Sequence, residues 1–159
     1  MTRRLVLLQG AALAVAIAQP AGLIPLDEAG FRKLIASGKG RVLLVDFWAT
    51  YCDPCRAEMP QLVALESRYR ARGLKLIAIS ADEPEQEAGA LRFLAKQNVA
   101  LPGYIKRPRD DDKFINAIDP KWSGQLPALF LYDRQGAKAK SFFGETDMAV
   151  LEAALRKLL

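Results

Sequence analysis

Residues 48–55 read Trp48-Ala49-Thr50-Tyr51-Cys52-Asp53-Pro54-Cys55 and hold the only two cysteines of the chain. The apolar run Val42-Leu43-Leu44-Val45-Asp46-Phe47 leads directly into them, and a helical pattern with an internal proline, Pro60, follows. A strand that ends in Cys-x-x-Cys at a helix start is the arrangement that reversible dithiol chemistry needs.

The reason lies in the thiolate, the only form of cysteine that attacks a disulfide. Unpaired backbone N–H groups and the macrodipole stabilise negative charge at a helix start. Cys52 is placed there, so its pKa is expected to fall. Cys55 lies about one turn further in and is expected to be less exposed. Cys52 then attacks the partner to give a mixed disulfide, and Cys55 resolves it, leaving an intramolecular bond. The competing readings are a structural disulfide and a metal site. Two cysteines in a chain without histidine cannot build a four-ligand zinc site, so neither metal nor cofactor is expected beyond the disulfide itself. A staple closing so short a loop would remove little chain entropy.

A length of 159 residues suits one domain after a leader is removed. Residues 1–18 read as a signal peptide. Arg3 and Arg4 form a basic start, residues 5–18 are apolar, and Ala16-Ile17-Ala18 is a small-x-small cleavage site. The arginine pair faintly resembles a twin-arginine signal, and general secretion is the simpler reading. The apolar run, about fourteen residues, is short for a membrane span of about twenty. The expected location is therefore outside the cytoplasm, in a bacterial periplasm, with residues 19–159 forming the domain. Without Arg3 and Arg4 the balance is 21 basic to 18 acidic residues, a net charge of +3. That is too slight to imply a nucleic-acid partner. Lys106-Arg107-Pro108-Arg109 runs at once into Asp110-Asp111-Asp112 and reads as a solvated loop before a helix with an acidic first turn.

Residues 19–25 read as a lead-in, 27–37 as a short amphipathic helix stopped by Gly38, and 42–48 as a strand buried on both faces. A helix is expected over 53–72, kinked at Pro60 and ended at Gly73. A second buried strand covers 74–80, a third helix 84–97 and a short helix 110–118. Residues 128–132 and 138–143 are strands joined by the turn Asp133-Arg134-Gln135-Gly136, and 147–158 close the chain as a helix. This order gives an α/β three-layer sandwich with a mixed central sheet, and puts the site at the carboxyl end of the first strand.

Asp46-Phe47-Trp48-Ala49, the cysteine pair, Pro60, and Leu126-Pro127 before a strand and hairpin together resemble the thioredoxin fold. The segment Cys55-Arg56-Ala57-Glu58-Met59-Pro60-Gln61-Leu62 resembles the exported TlpA/ResA-like thiol–disulfide oxidoreductases more narrowly. The resemblance spans residues 26–158. It implies that Cys52 is the nucleophile and Cys55 the resolving thiol. It implies that Pro127 is a cis-proline beside the disulfide, with the Leu126 backbone bonding an extended partner. It implies that Asp46 is a buried proton acceptor for the resolving thiol, and that Glu58 lies near the site and shifts the cysteine pKa values. Trp48, Tyr51 and Leu126 are the expected partner-contacting residues, and the loop 121–124 borders the same groove. Tyr51 stands where the family usually has Trp, and Asp46 where many of its members have Asn. Thioredoxin's lysine on the next strand has no match in Leu76-Ile77-Ala78-Ile79.

Charge sets the expected direction of the chemistry. A dithiol is a strong oxidant when its reduced thiolate is unusually stabilised. Here Asp53, Asp46 and Glu58 oppose a thiolate, and no histidine supports it. The chain therefore reads as a reductant of disulfides in exported proteins and is expected to be a monomer; the resemblance implies a membrane-bound electron donor. Apocytochrome c is the substrate that the resemblance suggests first. Three other functions remain to be separated from it. A dithiol oxidase or isomerase differs in potential, and a non-catalytic binding module keeps its activity without the cysteines. A peroxidase of the Pro-x-x-x-Thr-x-x-Cys type is poorly matched, because Val45 and Ala49 stand at the Pro and Thr places.

Overall fold

The computed structural model describes residues 22–159; the expected leader lies outside them. Six strands form one sheet: β1 (Ile24–Leu26), β2 (Val42–Trp48), β3 (Leu74–Ser80), β4 (Tyr104–Lys106), β5 (Ala128–Tyr132) and β6 (Lys138–Phe143). Their spatial order is β1-β4-β3-β2-β5-β6. The first four are mutually parallel, β5 runs antiparallel to β2, and β6 runs antiparallel to β5, so the sheet is mixed as expected. The helices are α1 (Glu28–Ser37), α2 (Asp53–Tyr69), α3 (Glu87–Lys96), α4 (Asp111–Ile118) and α5 (Met148–Leu158).

Alternation along β2 divides the core. Leu43, Val45 and Phe47 face α1 and α4, where they meet Phe31, Leu34, Ile35, Phe114 and Ile118. Val42, Leu44 and Trp48 face α2, α3 and α5, against Met59, Leu62, Ala90, Leu94, Leu151 and Leu155. Every residue of β2 is buried, which is why the strand reads as a continuous apolar run rather than an alternating one. This is a thioredoxin-like three-layer sandwich, and it meets the expectation for the fold.

Helix ends follow local chemistry. Asp27, Asp110 and Asp147 each cap a helix start by accepting backbone N–H groups of the first turn. Helix α2 runs unbroken through Pro60, continues as a 3₁₀ turn at Arg70–Arg72, and stops at Gly73, whose φ of 91° suits glycine. Sequence periodicity merged that turn with the helix, and merged the turn Pro84–Gln86 with α3 in the same way. Strands β1 and β4 were not expected. Each is three residues long and carries too little pattern to read, and β1 contains Pro25. Lys106 and Arg107 are correspondingly half-buried at the end of β4 rather than part of a solvated loop. Strand β4 reaches β3 only at Ile79 and Ser80. The buried Glu66 of α2 instead accepts the Leu76 N–H at 3.1 Å, a backbone donor that would otherwise be unpaired.

The topology delivers the site. Parallel register pairs Trp48 with Ser80, so β2 and β3 end at the same edge. Antiparallel register pairs Phe47 with Ala128, so β5 begins there. Cys52, Asp82 and Pro127 are the continuations of those three strand ends.

Candidate active site

Cys52 is the N-cap of α2, and Pro54 occupies its first turn, where a missing N–H costs nothing. Cys52 and Cys55 form a disulfide, with Cα atoms 5.3 Å apart. Cys55 N–H points at Cys52 Sγ at 3.3 Å. That backbone donor is the group that would stabilise a Cys52 thiolate once the bond is reduced. Cys52 is 8% exposed and lines a surface depression, whereas Cys55 is 1% exposed, so the first cysteine is the more accessible of the two. This is the division expected of nucleophile and resolving thiol.

Two buried carboxyls lie on the elements that carry the pair, Asp46 on β2 and Glu58 on α2. Asp46 on β2 is 1% exposed. Its carboxyl is held well above the usual carboxylate range, first by burial and then by the Glu58 charge. Glu58 on α2 is also buried; its Oε1 accepts the Thr146 N–H and so ties α2 to the loop before α5. Burial pushes the Glu58 carboxyl up, the Thr146 bond draws it back down, and the nearby Glu145 adds to the rise. Among the described residues four buried side-chain polar atoms lack a hydrogen-bond partner. Asp46 Oδ2, Trp48 Nε1 and Glu58 Oε2 are three of them. Orphaned polar atoms are rare in folded proteins, and these three lie on β2 and α2, the elements that lead into and carry the cysteines.

Leu126–Pro127 is a cis peptide, as the resemblance implied, and Leu101–Pro102 is a second. Pro127 is buried and Leu126 half-buried. The loop carrying them is held by Trp122, whose ring packs 4.8 Å from Phe47 and whose Nε1 donates to the Gln125 carbonyl at 2.8 Å. Tyr51 is 70% exposed and lines two neighbouring depressions. One is lined by Cys52, Asp53, Pro54, Gly124 and Leu126. Tyr51 and Leu126 are thus placed where partner contact was expected. Trp48 is not: it has no exposed surface, and its ring lies 4.9 Å from Phe93 of α3. A tryptophan ending a doubly covered strand fills core before it can meet a partner.

Sequence reading missed Asp82. It follows β3 and is 1% exposed. Both its carboxylate oxygens accept Thr50 N–H at 3.0 Å, and the Thr50 and Ser80 hydroxyls donate to it at 2.6 and 2.7 Å. Arg107 donates to its carbonyl at 2.7 Å. Asp82 therefore fixes the loop that presents Tyr51 and Cys52. The signal was Ser80-x-Asp82 at a strand end, a polar pair that reads equally well as ordinary turn chemistry. Asp82→Ala is expected to cost about 3 kcal/mol, because it strands several donors at once. Urea unfolding of the oxidised protein checks it; a loss under about 0.5 kcal/mol would mean the network adds nothing.

A thioredoxin-like sheet carrying a Cys-x-x-Cys disulfide at a helix start, beside a cis-proline and two buried acids, defines a thioredoxin-fold protein with a redox-type dithiol site. The sequence places it further: residues 26–138 match the AhpC/TSA family, and the chain belongs to that family. Among its relatives is the thiol-disulfide oxidoreductase ResA of Bacillus cereus. It is 33% identical over 120 residues, which are 76% of this chain and 65% of that protein. ResA of Geobacillus kaustophilus is 27% identical over 132 residues, 83% of this chain and 71% of that one. The chain thus spans just under two thirds of the length of the Bacillus cereus relative. Among solved structures, a thioredoxin-family thiol:disulfide interchange protein from Chlorobium tepidum superposes with a TM-score of 0.63 at 24% identity. The match covers 77% of this chain and 83% of that one. A DsbF homologue from Corynebacterium diphtheriae gives a TM-score of 0.65 at 18% identity, covering 78% and 76%. These two likenesses support the fold.

Proposed function

We propose that the protein is a thiol–disulfide oxidoreductase that reduces disulfides in exported proteins. The observation that carries this is the Cys52–Cys55 disulfide at the start of α2, its first residue more exposed than its second, with buried carboxyls of raised pKa on β2 and α2. In the forward direction the Cys52 thiolate attacks a partner disulfide and one partner thiolate leaves. Cys55, deprotonated toward Asp46, then attacks Cys52 Sγ and releases the second partner thiol. Two electrons pass from the protein to the partner, so an outside dithiol donor must reduce the pair again; a membrane-bound donor is the reading that the resemblance favours. Action outside the cytoplasm rests on the signal-like residues 1–18, and apocytochrome c as substrate rests on the TlpA/ResA-like resemblance. The relatives named thiol-disulfide oxidoreductase support the reaction class.

The direct test is reduction of a protein disulfide with dithiothreitol as donor. The protein is expected to accelerate it well above dithiothreitol alone; no acceleration would overturn the reading. The direction has its own test at Asp53, whose exposed side chain lies 3.4 Å from Arg56 in a weak pair. Asp53→His removes an anion beside the Cys52 thiolate and adds a group that can be cationic. It is expected to raise the reduction potential by about 30 mV or more, a tenfold change in the dithiol equilibrium. An unchanged potential would sink the charge argument.

A further inference from the structure

Beyond the Cys52 depression, across Tyr51, lies a second and more enclosed recess. Its lining includes Glu83, Lys106, Asp111, Ile115 and Trp122, and it shares Tyr51, Gly124 and Leu126 with the first. Gly124 has φ 86°, and a Cβ there would come within 2.9 Å of Ile115 Cδ1, so the floor common to both depressions requires glycine. Because they share Tyr51, Gly124 and Leu126, the two depressions adjoin and form one groove with Cys52 in its first part.

The charges in that groove are unlike those of the whole chain. The described residues carry an excess of basic side chains, 21 to 18. The groove carries Asp53, Glu83 and Asp111 against Lys106 alone. Lys106 is taken up by Asp111 at 2.5 Å, and Asp53 has its weak pair with Arg56. Glu83 makes no salt bridge among the described residues and is exposed. Its charge reaches Tyr51, whose hydroxyl is pushed up by burial and then by the neighbouring Asp82 and Glu83. The recess thus offers an uncompensated carboxylate beside an exposed aromatic ring. That combination suits a lysine or arginine side chain, by ion pairing and by cation–π contact.

We infer that the groove selects partner polypeptides with a basic side chain close to the cysteine that Cys52 attacks, with Glu83 and Tyr51 receiving it. This deepens the proposed function and rests on it. The occupant is a polypeptide segment, because the recess is continuous with the site where the partner's sulfur must sit.

The test uses fully reduced protein and short peptides whose single cysteine is joined to thionitrobenzoate. The residues two before and two after that cysteine are both Lys, both Gln or both Glu. The Cys52 thiolate attacks the peptide sulfur and releases the coloured aryl thiolate. Cys55 then attacks Cys52 Sγ and frees the peptide thiol, oxidising the protein by two electrons. At low salt the Lys peptide is expected to react about tenfold faster than the Glu peptide, with the ratio falling as salt is added. Glu83→Gln is expected to bring the ratio below about threefold. Glu85→Gln removes the same charge two positions on, outside the groove, and is expected to keep it. A wild-type ratio near one, or a ratio that Glu83→Gln leaves unchanged, overturns the inference. An unreactive Gln peptide instead overturns the functional reading beneath it.

Discussion

Cys52→Ser is expected to drop disulfide reduction to the rate of the added small thiol alone. Cys52 is the more exposed cysteine of the pair, and serine is not a nucleophile toward disulfides at neutral pH. Cys55→Ser is expected to behave differently. Cys52 still attacks, but nothing resolves the product, so the protein accumulates as a covalent adduct of partner and Cys52. Non-reducing electrophoresis or intact mass shows the adduct directly. Equal trapping by both single variants would mean that the two sulfurs are not divided into attacking and resolving roles. A double variant that keeps full biological activity would make the protein a binding module on a thioredoxin-like frame.

The second large effect belongs to Asp46, and it has opposite signs for stability and turnover. The folded protein raises the Asp46 pKa well above 3.8 by burying it near Glu58. Between the unfolded and folded values the native state holds a proton that the unfolded chain has released. Stability therefore falls as pH rises through that window, and the full penalty is present above the folded pKa. Asp46→Asn removes the penalty. At pH 7 it is expected to stabilise the protein, and the gain is expected to fade as pH drops through the usual carboxylate range. Turnover at pH 7 is expected to fall about 100-fold, because Cys55 loses its proton acceptor. It should recover as pH rises and the thiol ionises unaided. Denaturant unfolding at two pH values and a pH–rate profile together check this. A destabilised variant, or a rate loss that is flat with pH, would make Asp46 structural only.

How much could be read in the sequence depended on how much pattern each segment carried. The buried strands β2 and β3, the long helix α2 and the final hairpin have seven or more patterned residues or an unambiguous turn, and they were legible. Strands β1 and β4 were not, because three residues show no period and their pairing comes from distant chain segments. The same distinction holds within the site. Cys52 and Cys55 declare themselves by spacing, whereas Asp46 was singled out only through the resemblance. Glu58 could be placed near the site but not beside Thr146, since that contact joins positions 88 apart. Asp82 carries no motif, and its role emerges only where two parallel strands end at one edge. Trp48 was placed among the partner contacts by its position before the motif, although it ends a strand read as buried on both faces, and its packing on Phe93 of α3 shows the burial to hold to the strand's last residue.

The most direct measurement of the central claim is the reduction potential of the Cys52–Cys55 pair, taken by equilibrating the protein against thiol–disulfide buffers. Three acids around the site and no histidine predict a reversible couple near or below about −270 mV, as for thioredoxin. A value near about −120 mV would contradict the account and make the protein an oxidant, its thiolate stabilised by the helix start more than its acids oppose it.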